Sequence, residues 1–342
     1  MIVLGIETTC DETAASIVID GKHILSNTIC SQADYHSQFR GVFPEYASRN
    51  HVDLLLPTIE KSLTEANISS NDIDLIAVAN RPGLMGPLLM GLNCAKALAF
   101  CWDIPFVCVN HLEAHLYAAM MEQKTISFPA LGVVVSGGHT FMVEINSFRN
   151  YRLIGASIDD AIGEAFDKVA AMLNLPYPGG PEIEKLATTG DPKRYPFKAG
   201  LVKNNRFNFS FSGLKTQVLY AIKGANSNKH SPSIIHEEDK KDVAASFQQV
   251  ALTDIVKKAL SAAVVINATD IFVGGGVTNS SKLKEIFTIL TPNNTKIHYP
   301  PKNLSIDNGA MIAGLGYHVG TSDLASMSFK ENAVPSGAVL FD

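Results

Sequence analysis

Residues 2–6, IVLGI, form a continuous apolar run, the polar segment ETTCDET (7–13) follows, and AASIVI (14–19) is a second apolar run. Continuous apolarity over so few residues predicts two buried strands joined by a polar loop. The same arrangement returns at ALGVVV (130–135), SGGHT (136–140) and FMVEI (141–145). A second pattern also occurs twice. DLIAVA (74–79) runs through the loop NRPGLMG into the helix-like PLLMGLNCAKALAF, and DIFVGGGVTNSSKLKEIF (270–287) repeats the order strand, glycine loop, helix. The copies lie about 130 to 200 residues apart, too far for a solenoid and right for duplicated domains. The expectation is an α/β protein of two duplicated lobes facing across a cleft. HVDLLLPTIEKSLTEA (51–66) and KKDVAASFQQVALTDIVKKALSAAVVI (240–266) carry apolar residues at helical spacing, and the polar stretch 223–240 reads as an exposed excursion.

Composition narrows the function classes. At 342 residues the chain exceeds what one core usually supports, and 46% hydrophobic residues suffice for two. The net charge of −5 gives no global signal for nucleic acid, so a polyanion would have to meet a local patch. The five cysteines (Cys10, Cys30, Cys94, Cys101, Cys108) contain no C-x-x-C, which argues against a disulfide framework or a thiolate zinc site and for a reducing compartment. The N-terminus lacks a basic region and reaches Glu7 early, so it reads as a strand and not a signal peptide. The most membrane-like window, 84–101, contains Pro87, Asn93 and Lys96. A cytoplasmic protein without a membrane partner is expected.

Several segments carry candidate chemistry. SGGHT and ETTCDET are loops that can turn backbone N–H groups toward an anion, or they are ordinary hairpins. GGGVTNS (274–280) follows a strand and opens a helix, where N–H groups are free for a nucleotide, yet it is neither a Rossmann fingerprint nor a P-loop. The acidic helix around Asp159, Asp160, Glu164 and Asp167 leads into a Pro-Gly-Gly-Pro turn and is either a polar cluster or a solvated face. Residues 191–216 hold Lys193, Arg194, Lys198, Lys203, Arg206 and Lys215 against one acid, interleaved with Tyr195, Phe197, Phe207, Phe209 and Phe211. That stretch is a phosphate-binding strip with stacking aromatics, or a basic loop over buried phenylalanines.

In VNHLEAHLYAAMM (109–121), His111 and His115 fall on one helical face and can share a metal. A zincin protease requires H-E-x-x-H. Here the order is H-L-E-A-H, and Glu113 points away from the shared face, so the protease reading has no general base. Asp307, in SIDNGAMIAGLG, is a third ligand or simply a turn former or N-cap before an Ala/Gly-rich helix.

GIETTCDET, NHLEAH, VVSGGHT, GEAFDKVA, YPGGPEIEKLA, FSFSGLKT, GGGVTNS and DNGAMIAG together resemble the bacterial tRNA N6-adenosine threonylcarbamoyltransferase (TsaD) family, formerly described as O-sialoglycoprotein endopeptidases. The resemblance spans essentially the whole chain. It implies the actin/Hsp70/hexokinase-like (ASKHA, ribonuclease H-like) fold, with residues 1–108 plus about 308–342 as one lobe and 109–307 as the other. It further implies a divalent metal on His111, His115 and Asp307, iron being the usual assignment and zinc a compatible one. The family's substrate loop falls on Val134, Val135, Ser136, Gly137 and Gly138, and other contacts on Asp167, Gly180 and position 184, often aspartate and here Glu184. One departure is visible: the family reads G-G-V-x-x-N, whereas this chain has Asn279 followed by Ser280, so either residue is a candidate for that contact.

The activity so implied is transfer of threonylcarbamoyl from threonylcarbamoyl-AMP to N6 of adenosine 37 in tRNAs that read codons beginning with A. Asp11 and Glu12 are the candidate catalytic carboxylates, and the basic stretch is the candidate tRNA contact. Implied partners are tRNA, an inactive paralogue of the same fold (TsaB-like), a small P-loop ATPase (TsaE-like) and a separate enzyme that makes the adenylate. Two alternatives stand beside this reading. They are an ATP-dependent phosphotransferase of the same superfold, which would not need the histidine pair, and a non-catalytic partner subunit, which would be expected to lack it.

Overall fold

The structure, a computed structural model, describes residues 1–32, 35–36, 42–228, 231–322 and 329–335. The chain divides into two compact units: 1–125 with 147–150 and 300–342, and 126–146 with 151–299.

The first unit is built on a five-stranded sheet in the order β3-β2-β1-β4-β5. Its strands are β1 (Ile2–Glu7), β2 (Glu12–Ile19), β3 (His23–Ser31), β4 (Leu75–Arg81) and β5 (Phe106–Asn110). β1 and β2 pair antiparallel with Val3 opposite Val18 and Glu7 opposite Ala14, while β4 and β5 add parallel. The continuous apolar pattern follows from coverage on both faces. Helices α1 (Pro44–Ala66) and α2 (Met85–Trp102) cover one side, where Leu4, Ile6, Leu55, Ile59, Leu92 and Ala95 share one core. Helix α3 (His111–Met120) continues directly from β5, and α9 (Gly309–Ser322) packs against α3 and β1. The Ala/Gly-rich sequence of α9 has a steric cause: a Cβ on Gly5 would lie 2.2 Å from the Gly309 carbonyl, so helix and strand approach at backbone distance.

The second unit repeats the plan. After β6 (Ala130–Val135), β7 (Thr140–Ser147) and β8 (Asn150–Ala156) come α4 (Ile162–Met172), α5 (Gly179–Ala187), α6 (Ser212–Lys223) and α7 (Lys240–Val265). β9 (Asp270–Gly274), α8 (Ser281–Leu290) and β10 (Lys296–His298) complete it. The order β10-β9-β6-β7-β8 is that of the first sheet with each strand replaced by its later counterpart. The duplication read from the apolar runs is therefore a duplication of topology. The core gathers on α7, with Phe166 against Phe247 at 4.9 Å between ring centroids.

The boundary differs from the sequence reading. Residues 109–125 and 300–307 group with the first unit and not the second, because nearly every residue of α3 is buried and α9 supplies its cover. Among the described residues no helix is long and apolar enough to cross a membrane.

Candidate metal centre and substrate loops

β5 passes into α3 without a linker. Asn110 caps the helix, its Oδ1 accepting from the N–H groups of Leu112 (2.9 Å) and Glu113 (3.4 Å), so His111 is the first helical residue and its position is tied to the sheet. One turn on, His115 meets it with ring centroids 4.6 Å apart. The third member comes from the segment before α9. Asn308, not Asp307, caps that helix: its Oδ1 accepts from Met311 N at 3.0 Å, and its amide donates to the carbonyls of Leu304 and Ile306. Asp307 instead turns to the histidines, its Oδ1 lying 3.0 Å from His115 Nε2 and 3.6 Å from His111 Nε2.

One potential ligand atom from each of the three lies within 4.8 Å of the others. The fit to a divalent cation rests on more than proximity. His111 Nδ1 lies 2.8 Å from Oε2 of Glu7, a fully buried carboxylate that also accepts from Thr9 N. A proton on Nδ1, donated to Glu7, leaves the Nε2 lone pair facing Asp307, which is the usual support for a metal-binding histidine. Burial alone would depress the His111 pKa. The carboxylates of Glu7 and Asp307 outweigh it and push the value up to about 9, so the pocket favours a positive charge here. Two imidazoles and a carboxylate suit iron or zinc. Sequence reasoning missed Glu7; its signal was a carboxylate ending an otherwise apolar strand.

The loop between β1 and β2 brings Cys10 and Glu12 into the field of Asp307. Burial, then the Asp307 and Asp11 carboxylates, push Glu12 up to about 9, and a side-chain hydrogen bond joins it to Asp11. The Cys10 thiol is raised by burial and by Asp11 and Asp307, which keeps it protonated. Glu113 stands apart from the His111–His115–Asp307 group; burial pushes it up to about 7 against the pull of Arg81 and Asn110.

In the second unit, the Ser136–His139 loop closes on itself through Ser136 N to His139 O (2.9 Å) and His139 N to Ser136 Oγ (3.0 Å). The start of α4 is consumed by it: Gly163 N donates to Ser136 O, Glu164 N to Gly137 O and Ile162 N to Thr140 Oγ1. A Cβ on Gly137, Gly138, Gly180 or Gly276 would meet nothing within 4 Å, so packing does not require glycine at these positions. Gly275 is the opposite case. Its φ is +94°, and a Cβ would lie 2.5 Å from the Val135 carbonyl. Val134 and Val135 themselves are buried β6 residues whose side chains belong to the sheet.

Three family-implied contacts hold structural bonds. Asp167 Oδ1 accepts from Gly179 N at 2.7 Å, and the carboxyl also receives Gly180 N–H; burial nonetheless raises its pKa. Glu184 Oε1 accepts from Ser281 N (2.7 Å) and Lys282 N (3.2 Å), so the N-terminus of α8, expected to offer free N–H groups, already holds a carboxylate. The Ser280 hydroxyl caps α8 by accepting from Leu283 N, whereas Asn279 is exposed.

The basic stretch divides. Lys193, Arg194, Lys198, Lys203 and Arg206 are exposed, and among the described residues none pairs with a carboxylate. Lys215 does not belong with them: partly buried, it pairs with Asp160 at the start of α4. The aromatics are structural, with Phe209 and Phe211 fully buried and Tyr195 stacked on Phe197 at 5.6 Å. Asp159 bonds Ser210, Phe211 N and Ser212, which fixes the entry to α6.

The family model TsaD: tRNA N6-adenosine threonylcarbamoyltransferase matches residues 23–314. A protein of that name from Protochlamydia amoebophila is 55% identical over 319 residues, covering 93% of this chain and 92% of the relative. Its namesake from Caldicellulosiruptor bescii is 44% identical over 98% of this chain and 97% of the relative. Among solved structures, full-length HypF gives a TM-score of 0.64 at 13% identity, over 95% of this chain and 47% of that one. ROK hexokinase from Thermus thermophilus gives 0.52 at 13% identity, over 94% and 100%. These structural likenesses concern the fold, which is of the ASKHA type.

Proposed function

The chain belongs to the tRNA N6-adenosine threonylcarbamoyltransferase family, and from that premise we propose that it transfers the threonylcarbamoyl group from threonylcarbamoyl-AMP to N6 of adenosine 37 in tRNAs reading codons that begin with A. The exocyclic amine attacks the carbamoyl carbon, a C–N bond forms, the C–O bond to the phosphate breaks, and AMP leaves with its electron pair. The amine proton passes to a carboxylate, for which we assign Asp11, with Glu12 hydrogen-bonded to it.

His111, His115 and Asp307 would hold the divalent metal, iron or zinc, which supplies Lewis-acid polarisation and orientation of substrate oxygens when bound. Glu7 fixes the His111 ring. In the second unit, the backbone at Gly137, Gly138, Gly180 and Gly276 is assigned to the adenylate, since the open space at these glycines lets a ligand reach the main chain. Asp167 and Glu184 act there by setting the helix starts that they cap. Asn279, exposed and itself an amide, is the better candidate for the family's amide contact. Lys193, Arg194, Lys198, Lys203 and Arg206 would meet tRNA phosphates. An inactive paralogue, a small P-loop ATPase and an adenylate-forming enzyme complete the proposed system.

The observation that carries this reading is the convergence of His111, His115 and Asp307 in a chain of this family. The test combines the protein with its partner subunits, threonylcarbamoyl-AMP and unmodified tRNA, followed by nucleoside mass analysis and metal determination. Product is expected from the wild type, with His111→Ala and Asp307→Ala losing both product and bound metal. Absence of product from folded wild-type protein with active partners overturns the reading.

A further inference from the structure

The turn that carries Asp11 and Glu12 is anchored at both ends by one imidazole from a distant helix. His51 of α1 is fully buried, with Nε2 3.0 Å from the Cys10 carbonyl oxygen and Nδ1 2.8 Å from Thr13 Oγ1. Cys10 immediately precedes Asp11 and Thr13 immediately follows Glu12, so a single rigid ring brackets the dipeptide. The bond directions are determined by chemistry. A carbonyl only accepts, so Nε2 carries the proton, and Nδ1 accepts from the threonine hydroxyl. Burial favours this neutral ring over the imidazolium, with the Cys10 carbonyl and the Glu7 and Asp11 carboxylates opposing. The preceding residue acts through a second chain of bonds: Asn50 donates to Gln32 Oε1 at 3.0 Å, and Gln32 N donates to the Asp11 carbonyl at 3.0 Å. Successive residues of α1 thus hold the loop through two routes.

We propose that His51 is a positioning residue for threonylcarbamoyl transfer, fixing the Asp11–Glu12 turn in the geometry from which Asp11 receives the amine proton. This rests on the assignment of Asp11 and Glu12 made above. His51 bonds to Cys10 and Thr13, and in this role it contacts no substrate and is no metal ligand, so its loss disturbs the alignment of the reacting groups and leaves the metal ligands in place. A misplacement of about 1 Å at a reacting group can cost on the order of 100-fold in rate.

The experiment measures single-turnover transfer in the full system for wild type, His51→Leu, His51→Gln, Thr13→Val and the double variant Asp11→Asn/Glu12→Gln. His51→Leu removes both anchors at similar volume, whereas glutamine returns an N–H donor toward Cys10. The expected result is a rate roughly 10- to 100-fold lower in His51→Leu with KM for the adenylate within about twofold of wild type. Bound metal stays unchanged, and His51→Gln recovers most of the loss. Thr13→Val, which deletes one anchor, falls in between and decides the matter should His51→Leu not fold. A wild-type rate in His51→Leu, or equal losses in the leucine and glutamine variants that track their melting temperatures, overturns the proposal. If the double variant is inactive while His51→Leu is not, only the role of His51 fails. A fully active double variant, or no product from wild type, removes the assignment of the loop and this proposal together.

Discussion

The loop after β1 and the loop after β6 occupy the same place in the same strand order, yet they are made of different material. The first is filled with side chains: Glu7 at its base, Asp11 and Glu12 at its turn, and His51 holding its ends. The second is mostly main chain, closed by Ser136 and His139, with two glycines that face open space. The contrast extends to some of the glycines. At every described glycine of the first unit, a Cβ would come within 3.0 Å of another atom, so those glycines serve packing. In the second unit, Gly137, Gly138, Gly180 and Gly276 have no such cause. Duplication supplied one scaffold twice; one copy presents ionisable groups and the other presents backbone.

The sharpest way to break this contrast is to add a methyl group to each kind of glycine. Gly275→Ala meets both a positive φ and the Val135 carbonyl, and is expected to cost about 3 kcal/mol or more in denaturant unfolding. Gly137→Ala and Gly138→Ala meet nothing and should change stability by less than ~0.5 kcal/mol. Transfer should nevertheless fall about tenfold or more, through a raised KM for the adenylate. Full activity in both would detach this loop from substrate.

On the first unit, Glu7→Gln tests whether a buried carboxylate supports the histidine. Metal affinity measured by competition with a chelator should weaken by roughly 10- to 100-fold, with His111 and His115 still in place. Unchanged affinity would make Glu7 a packing residue.

The smallest effect separates the units by pH. Burial holds His51 below its ordinary value of 6.5. As pH falls through 6.5, the unfolded chain takes up a proton that the folded ring resists, so stability declines until the folded value is passed. Burial acts to raise Asp159, but hydrogen bonds from Ser210, Phe211 N and Ser212 outweigh it and hold the carboxyl below 3.8. Its stabilisation is complete above that ordinary value and is lost only as pH falls through the folded one. Thermal melts at pH 7 and pH 5.5 should therefore show a smaller pH-induced drop in His51→Gln than in wild type, and an Asp159→Asn penalty that is the same at both values.

Much of the fold was legible before the structure because it is local in sequence. Apolar runs of five or six residues separated by polar loops specified the strands, and their recurrence specified the duplication. His111 and His115 share a face by helical spacing alone. The features that stayed hidden depend on long-range approach. Glu7 meets a histidine 104 positions away, and at sequence level it is only the polar end of a strand. Lys215 looked like part of a basic strip because its partner, Asp160, lies in a different segment. Glu184 reads as one acid on an amphipathic helix until Ser281 and Lys282 are brought to it. The division at residue 108 failed for a related reason: α3 leads in chain order into the second unit, but by burial it belongs with α9 in the first.

The pair Asp307–Asn308 shows how finely position is specified. The two side chains have nearly the same shape and both are good helix caps, yet Asn308 takes the cap and Asp307 the histidines. Exchanging them would leave composition, total charge, volume and capping propensity untouched while moving one negative charge a single residue along the chain. Such a permutation is invisible to any measure that counts residues. It is decisive for a site that recognises where the charge stands.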